Sequence, residues 1–225
     1  MSHRLRVTWP DAAFFEARDG RPFRIVAVSD EEALSLDNAG SRAAMGPIDL
    51  VIGAGDLEPS YLAFVADAFG APLRYVRGNH DVGAAWYANE RWMLPEPLAD
   101  GQPVDEQGIT VLGFSGSPLY NAGGRLQVRS HVMWLRVLLA RLRRPRAPVL
   151  VVTHAAPRGL NDAPDKAHRG FTAFRWLLER IRPPLWLHGH TALIRRGLDS
   201  RCVTHGGTLL YNCTGITVVE LVPPT

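Results

Sequence analysis

Four consecutive residues, Gly78-Asn79-His80-Asp81, place an amide oxygen, an imidazole and a carboxylate just past the short apolar run Leu73 to Val76. On a polar turn at a strand end, that set supplies a metal ligand, a proton donor and a group to orient the donor. Asp30, Asp56, His154 and His190 each close a hydrophobic run in the same way. Carboxylates, an Asn carbonyl and imidazoles make a mixed oxygen and nitrogen donor set, which suits Mn²⁺, Fe or Zn²⁺ better than Mg²⁺ or Ca²⁺. No cysteine belongs to the set, which argues against a structural zinc. Two such ions about 3.5–4 Å apart can bridge a water, lower its pKa and clamp a phosphoryl oxygen. Asp56 is the best placed to bridge them. A histidine beside the ions can protonate a leaving alkoxide, help worth roughly 10²–10⁴-fold.

The elements that must carry these residues follow from hydrophobic patterning. Phe23 to Val28 reads as a buried strand running into Ser29-Asp30, and Ile48 to Ile52 as a second strand ending in Gly53-Ala54-Gly55-Asp56. Pro59 to Phe69 is predicted to be a helix, because Leu62, Val65, Ala66 and Phe69 recur at helical spacing with Pro59 in the first turn. Leu73 to Val76 follows as a strand. This alternation, with short connections, implies parallel pairing across a crossover helix. Residues 82 to 107 read as a long loop, Ile109 to Phe114 as a strand, and Ser115 to Arg129 as another loop. Ser130 can cap a helix in which Val132, Leu135, Leu139 and Leu142 share a face. Val149 to Thr153 is a strand ending at His154, and Phe171, Phe174, Leu178 and Ile181 mark a helix stopped by Pro183-Pro184. Leu185 to Leu187 leads into His188-Gly189-His190, and short β segments fill the tail from about Arg201 to Val222. Ligand crevices of open α/β sheets lie at the carboxyl ends of the strands, so the polar residues are expected to converge there.

At 225 residues the chain is long enough for a large core, and 1–225 is expected to form one domain with 1–22 as an N-terminal extension or hairpin. The N-terminus has no run resembling a signal peptide, and no stretch reaches the length of a membrane span, so a cytoplasmic protein with no membrane partner is expected. Cys202 and Cys213 fit reduced thiols in that setting. The net charge of +3 is small, and Lys166 is the only lysine. The Arg141, Arg143, Arg144, Arg146 cluster reads as a solvated helix end rather than a phosphate stripe, so nucleic acid is not favoured as a partner.

Asp30, Gly55-Asp56, Gly78-Asn79-His80-Asp81, Thr153-His154 and Gly189-His190, in that order, resemble the calcineurin-like metallophosphoesterase superfamily. The matches run from about residue 24 to residue 215. The resemblance implies an α/β fold of four layers, an α/β/β/α sandwich with two sheets face to face. It implies a metal-dependent phosphoesterase that hydrolyses phosphate mono- or diesters by attack of a metal-activated hydroxide. Carried over position by position, Asp56, Asn79, His154 and His190 would hold the second metal. Asp30 and Asp56 would hold the first, where Glu32 replaces one histidine of the pattern and Ala192 replaces the other. A tight site and a weaker one follow, with Mn²⁺ the expected ion. His80 takes the proton-donor role, with Asp81 as its orienting partner. The stretches Gly55 to Leu62 and Asp165 to Phe171 also resemble a bacterial branch of the superfamily for which no substrate is assigned.

Other readings weigh against these. His188 alternates with His190 along a strand and should point to the opposite face, which suits a structural role. Asp165 and His168 can contact substrate or complete the first metal, or can be plain loop polarity. Gly53 to Glu58 imitates a dinucleotide loop, but Glu58 stands where the third glycine belongs and would repel phosphate. No Gly-x-Ser-x-Gly elbow exists. A small phosphorylated substrate is the expected partner. The alternative is a degenerate one-metal member that binds a phosphate ligand and turns over little.

Overall fold

A computed structural model describes residues 3–87, 92–121, 126–143, 145–146, 148–191 and 201–224. In chain order its elements are β1 (His3–Thr8), α1 (Ala12–Glu16), β2 (Phe23–Ser29), a 3-10 turn (Leu34–Asp37), α2 (Ala39–Ala43), β3 (Leu50–Gly53), α3 (Pro59–Phe69) and β4 (Leu73–Tyr75). There follow α4 (Ala84–Tyr87), β5 (Pro103–Glu106), β6 (Ile109–Phe114), β7 (Ser117–Pro118), β8 (Gln127–Val128), α5 (Ser130–Leu142) and β9 (Val149–Thr153). Last come α6 (Thr172–Ile181), β10 (Leu185–His188), β11 (Cys202–His205), β12 (Thr208–Asn212) and β13 (Gly215–Val222).

Two large sheets carry the fold. One has five strands in the order β1-β13-β2-β3-β4, the other six in the order β11-β12-β10-β9-β6-β5. Strands β2, β3 and β4 are parallel neighbours, as are β6, β9 and β10. Alternate residues of each strand face the other sheet. Phe23, Ile25, Ala27, Leu50 and Ile52 from the first sheet meet Ile109, Val111, Leu150, Val152, Leu185 and Leu187 from the second in one buried cluster. The intervening residues face outward under helices. Val26, Val28, Val51 and Tyr75 pack with Leu62 and Val65 of α3, whereas Leu112, Val151 and Trp186 pack with α5 and α6. The result is the α/β/β/α sandwich. Strands buried on both faces need continuous apolar runs, which explains why β2, β3, β9 and β10 carry scarcely any polar residue before their last position. Each fully buried large side chain contributes about 1.5–3 kcal/mol.

Helix α3 starts at Pro59 and stops at Gly70, which takes the left-handed conformation at φ 58° and donates its N–H to Ala66 and Asp67. Helix α6 buries Ala173, Phe174, Leu177 and Leu178 and ends before Pro183.

The chain departs from the sequence reading in four places. Residues 3–8 are neither a free extension nor a hairpin, because β1 pairs in parallel with β13 from His3↔Thr217 to Thr8↔Val222. Trp9, just beyond, is 1% exposed in the core between the sheets. The long loop of 82–107 contains β5, which pairs antiparallel with β6. The loop of 115–129 holds the short parallel pair β7 and β8. Helix α5 is turned about its axis relative to the face expected. Its N-cap is Arg129, without a side-chain bond, and it buries Met133, Val137 and Ala140 while Leu135, Leu139 and Leu142 face outward.

Candidate metal centre

Parallel strands in both sheets end at the same edge of the sandwich, and each delivers one polar residue there. Asp30 follows β2, Asp56 follows β3, Asn79 and His80 follow β4, His154 follows β9 and His190 follows β10. Asp30, Asp56 and His190 all have positive φ, at 60°, 56° and 66°. The left-handed region costs a side-chain-bearing residue about 1–2 kcal/mol. Strain of this sort, held at three converging loops, marks a place where geometry serves something other than stability.

Glycine lets the loops approach. A Cβ on Gly78 would lie 2.0 Å from Asp56 Oδ1, and one on Gly189 would lie 1.9 Å from Ser29 Oγ and 2.3 Å from Asp30 Oδ2. Gly-Asn-His-Asp and Gly-His therefore need glycine first for a steric reason.

The centre is built around His154, fully buried. Its Nδ1 lies 2.9 Å from the Ala54 carbonyl oxygen, an acceptor, so Nδ1 carries a proton. Its Nε2 faces two more oxygens, Asn79 Oδ1 at 3.1 Å and Asp56 Oδ2 at 3.3 Å. The His190 ring stands 4.7 Å from that of His154, centroid to centroid. Its Nε2 lies 2.7 Å from the Ala167 carbonyl oxygen, which fixes the proton there and leaves Nδ1 as a lone pair. Asp56, His154 and His190 each offer a ligand atom within 4.8 Å of the others, the group of this kind among the described residues. Two ring nitrogens, a carboxylate and an amide oxygen thus converge. Such a set fits a divalent cation of the Mn²⁺, Fe or Zn²⁺ type.

The charges agree. Burial works to lower the His154 pKa, but the charge and hydrogen bond of Asp56, with the charge of Asp30, push it up to about 9. Burial works to raise Asp56, and the His154 charge and hydrogen bond outweigh it, holding the carboxyl below its ordinary range. Burial and the His154 charge push His190 down to about 3, which keeps it neutral and fit to ligate. The carboxylates hold a proton at Nε2 of His154, the point to which a metal ion would bring its own charge.

Other expected residues sit as follows. The His80 ring is exposed and lines the cleft, while its backbone N–H donates to Asp56 Oδ1 at 2.8 Å. Asp81 does not orient His80. Its Oδ2 accepts from the N–H of Gly78 at 2.6 Å and of Asp56 at 3.0 Å, and its Oδ1 from that of Leu57 at 3.1 Å. With both oxygens occupied by amides, Asp81 staples the two loops that carry Asn79 and Asp56. Arg77 stacks over Trp86 at 4.8 Å and donates to the Asp81 carbonyl, closing the turn.

Asp30 spends its carboxylate on the protein. It accepts the His190 N–H at 3.0 and 2.9 Å, Ser29 Oγ at 2.6 Å and Thr214 Oγ1 at 3.3 Å. Glu32 lines an adjacent hollow with Glu31, Ser35 and Arg201, and Glu31 also borders the cleft. The cause is local: Asp30 is left-handed and Glu31 donates its N–H to Ser29 at 2.6 Å, a tight turn that carries residue 32 away. Ala192 lies outside the described residues. His168 lines the cleft with its ring 5.2 Å from that of His190, and its Nδ1 is 2.9 Å from Asp165 Oδ1. His188 is fully buried apart from the cluster, with Nδ1 3.1 Å from the Gly189 carbonyl. Tyr120 and Thr214 complete the cleft lining. Neither stands in a motif, and the carbonyls of Ala54 and Ala167 leave no trace in side-chain patterns at all.

The family model described as calcineurin-like phosphoesterase matches residues 36–193. The chain belongs to the calcineurin-like phosphoesterase family. One solved structure superposes with a TM-score of 0.66 at 14% identity, covering 89% of this chain and 95% of its own. The crystal structure of TT1561 of Thermus thermophilus superposes at 0.58 with 15% identity, covering 87% of this chain and 90% of its own. At such identities these likenesses concern the fold. No curated protein matches the chain. As a calcineurin-like phosphoesterase, the chain has its Asp56, Asn79, His154 and His190 inside the matched span, whereas Asp30 and Glu31 precede it.

Proposed function

We propose that this calcineurin-like phosphoesterase hydrolyses a small phosphate mono- or diester with divalent metal held by Asp56, Asn79, His154 and His190. The observation that carries the reading is the convergence of His154 Nε2, Asn79 Oδ1 and Asp56 Oδ2 about one point, with carbonyls holding a ring proton of each histidine on the far side. Bound there, an ion would polarise a phosphoryl oxygen and acidify a water.

The remaining chemistry belongs to the side chains. His80, exposed on the cleft and tethered by its backbone to Asp56, is the proton donor to the leaving oxygen. Asp81 fixes the turn that presents it, through three backbone amides rather than through the imidazole. Tyr120, Thr214 and His168 line the cleft and offer polar groups to the ester oxygens. We assign a tight site to the four-ligand set and a weaker one to Asp30, Asp56 and Glu31, where oxygen donors favour Mn²⁺. The free thiols of Cys202 and Cys213 suit a cytoplasmic protein.

A second reading draws on Asp30, whose oxygens are already committed to His190, Ser29 and Thr214. A chain loading only one ion would bind a phosphate ligand and turn over little. One assay separates the two: p-nitrophenyl phosphate and bis(p-nitrophenyl) phosphate with Mn²⁺, for the wild type and Asp56→Asn. The enzyme reading expects turnover of at least one ester, abolished by chelation and reduced by about 10²-fold or more in Asp56→Asn. Calorimetric binding of inorganic phosphate with no turnover of either ester supports the second reading and removes the first.

A further inference from the structure

Helix α5 is apolar on two opposite sides. Met133, Val137 and Ala140 face the core, at 0% exposure each. Leu135, Leu138, Leu139 and Leu142 are exposed by 58%, 43%, 42% and 75%. At roughly 100° per residue, these four leucines form one stripe centred almost opposite the buried side. Scattered surface leucines need no explanation, but four on a single stripe form a patch that signals a partner.

The charge around the stripe identifies what kind. Arg141 is exposed beside the leucines, and Arg129, Arg143 and Arg146 lie exposed just before and after the helix. Arg136 is paired with Asp100, and Arg143 donates to the Gly101 carbonyl, whereas Arg129 and Arg141 have no ion pair among the described residues. The sequence contains no Asp or Glu between Glu106 and Asp162. A second copy of the chain meeting this face would oppose arginine to arginine. Four leucines are also far fewer than the roughly 20–30 residues a side typical of a stable interface. An anionic surface answers both features at once. It accepts a narrow apolar stripe at the level of the headgroups, with flanking arginines reaching out to phosphates.

We propose that α5 docks this protein onto an anionic lipid bilayer, lying in the interface with Leu135, Leu138, Leu139 and Leu142 inserted and Arg141 on the headgroups. No helix among the described residues is long and apolar enough to cross a membrane. The span-length argument in the sequence bears on crossing and does not bear on a helix that lies flat. The proposal is independent of the metal centre, since none of these side chains lines the cleft.

Vesicle sedimentation of the full chain tests it. Vesicles of phosphatidylcholine alone and of phosphatidylcholine mixed with phosphatidylglycerol are compared at low and high salt. Expected is binding to the mixed vesicles, weakened by salt, and little to phosphatidylcholine alone. Leu139→Gln with Leu142→Gln should lower the partition coefficient by about tenfold or more, as loss of inserted apolar area requires. Arg141→Gln should lower it on the mixed vesicles and flatten the salt dependence. Circular dichroism and metal content should not change in either variant, because the substituted side chains are exposed. Absence of binding to the mixed vesicles, or binding that the leucine changes leave intact, overturns the proposal. So does a dimer in analytical ultracentrifugation that the leucine variant converts to monomer, which would assign the stripe to a second copy.

Discussion

Gly78→Ala adds one methyl group, and its effect can be worked from the loops it would separate. The new carbon would stand 2.0 Å from Asp56 Oδ1, 2.5 Å from the Asp56 amide nitrogen and 2.6 Å from Asp56 Cγ. Carbon and oxygen need about 3.5 Å, so the carboxylate must retreat by roughly 1.5 Å. The backbone nitrogen has nowhere to go, since its N–H is held by Asp81 Oδ2 at 3.0 Å and its residue is already left-handed at φ 56°. Overpacking of this sort costs about 1–3 kcal/mol. Displacing Asp56 also breaks the 2.8 Å bond from the His80 N–H, and a bond to a charged group is worth about 1.5–3 kcal/mol. The expected loss is therefore about 2.5–6 kcal/mol. Gly70→Ala is the control: Gly70 is left-handed at φ 58° with nothing within 4 Å of an added Cβ, so only the backbone term of about 1–2 kcal/mol applies. Urea unfolding of the metal-free variants measures both. Calorimetric titration with Mn²⁺ then reads the ligand displacement, expected as a fall in affinity of about 10–100-fold for Gly78→Ala alone. Equal stabilities for the two variants, with unchanged Mn²⁺ affinity in Gly78→Ala, would refute the steric role given to this glycine.

His80→Ala should keep fold and metal content while losing about 10²–10⁴-fold in turnover of alkyl phosphates. The loss on p-nitrophenyl phosphate should be smaller, because that leaving group needs little protonation, and equal losses would count against a proton donor. Burial pushes His188 down to about 4 from its ordinary 6.5, and its Nε2 has no hydrogen-bond partner. A histidine whose folded pKa is depressed gives stability that is complete above the unfolded value and is lost as pH falls. The loss should run from about pH 6.5 to about pH 4 and reach about 3 kcal/mol. His188→Leu should remove that part of the acid sensitivity without lowering stability at neutral pH. Urea midpoints followed across the range check it, and identical pH slopes in the two proteins would show that His188 does not titrate there.

Much of the fold was legible in the sequence, and the limits are physical. Pro59 to Phe69 was readable to the residue because proline, a helical apolar face and a following glycine all agree. Strand β1 was not, because its pairing partner β13 stands at the other end of the chain and local pattern does not reveal so distant a contact. Helix α5 shows why periodicity can mislead. Its leucines satisfy the helical period on the outward side, and Met133, Val137 and Ala140 satisfy it on the inward side, so spacing alone did not choose. At the site, residues that close apolar runs were found, since a strand end is a local signal. That Glu31 rather than Glu32 borders the cleft was hidden in one left-handed φ at Asp30. The stapling role of Asp81 was hidden because its partners are backbone amides, which every residue other than proline supplies.

The central claim is that His154 and His190, each anchored through one ring nitrogen to a backbone carbonyl, turn the other to a divalent ion on which phosphoester hydrolysis depends. The most direct measurement counts metal per chain and rate in the same samples as Mn²⁺ is returned to chelated protein, for the wild type and for His154→Ala. Hydrolysis of bis(p-nitrophenyl) phosphate or p-nitrophenyl phosphate should be absent from the stripped protein and should rise with the metal bound. His154→Ala should neither retain the tight ion nor recover rate. Hydrolysis by metal-free protein at the wild-type rate, or full metal content in His154→Ala, would contradict it.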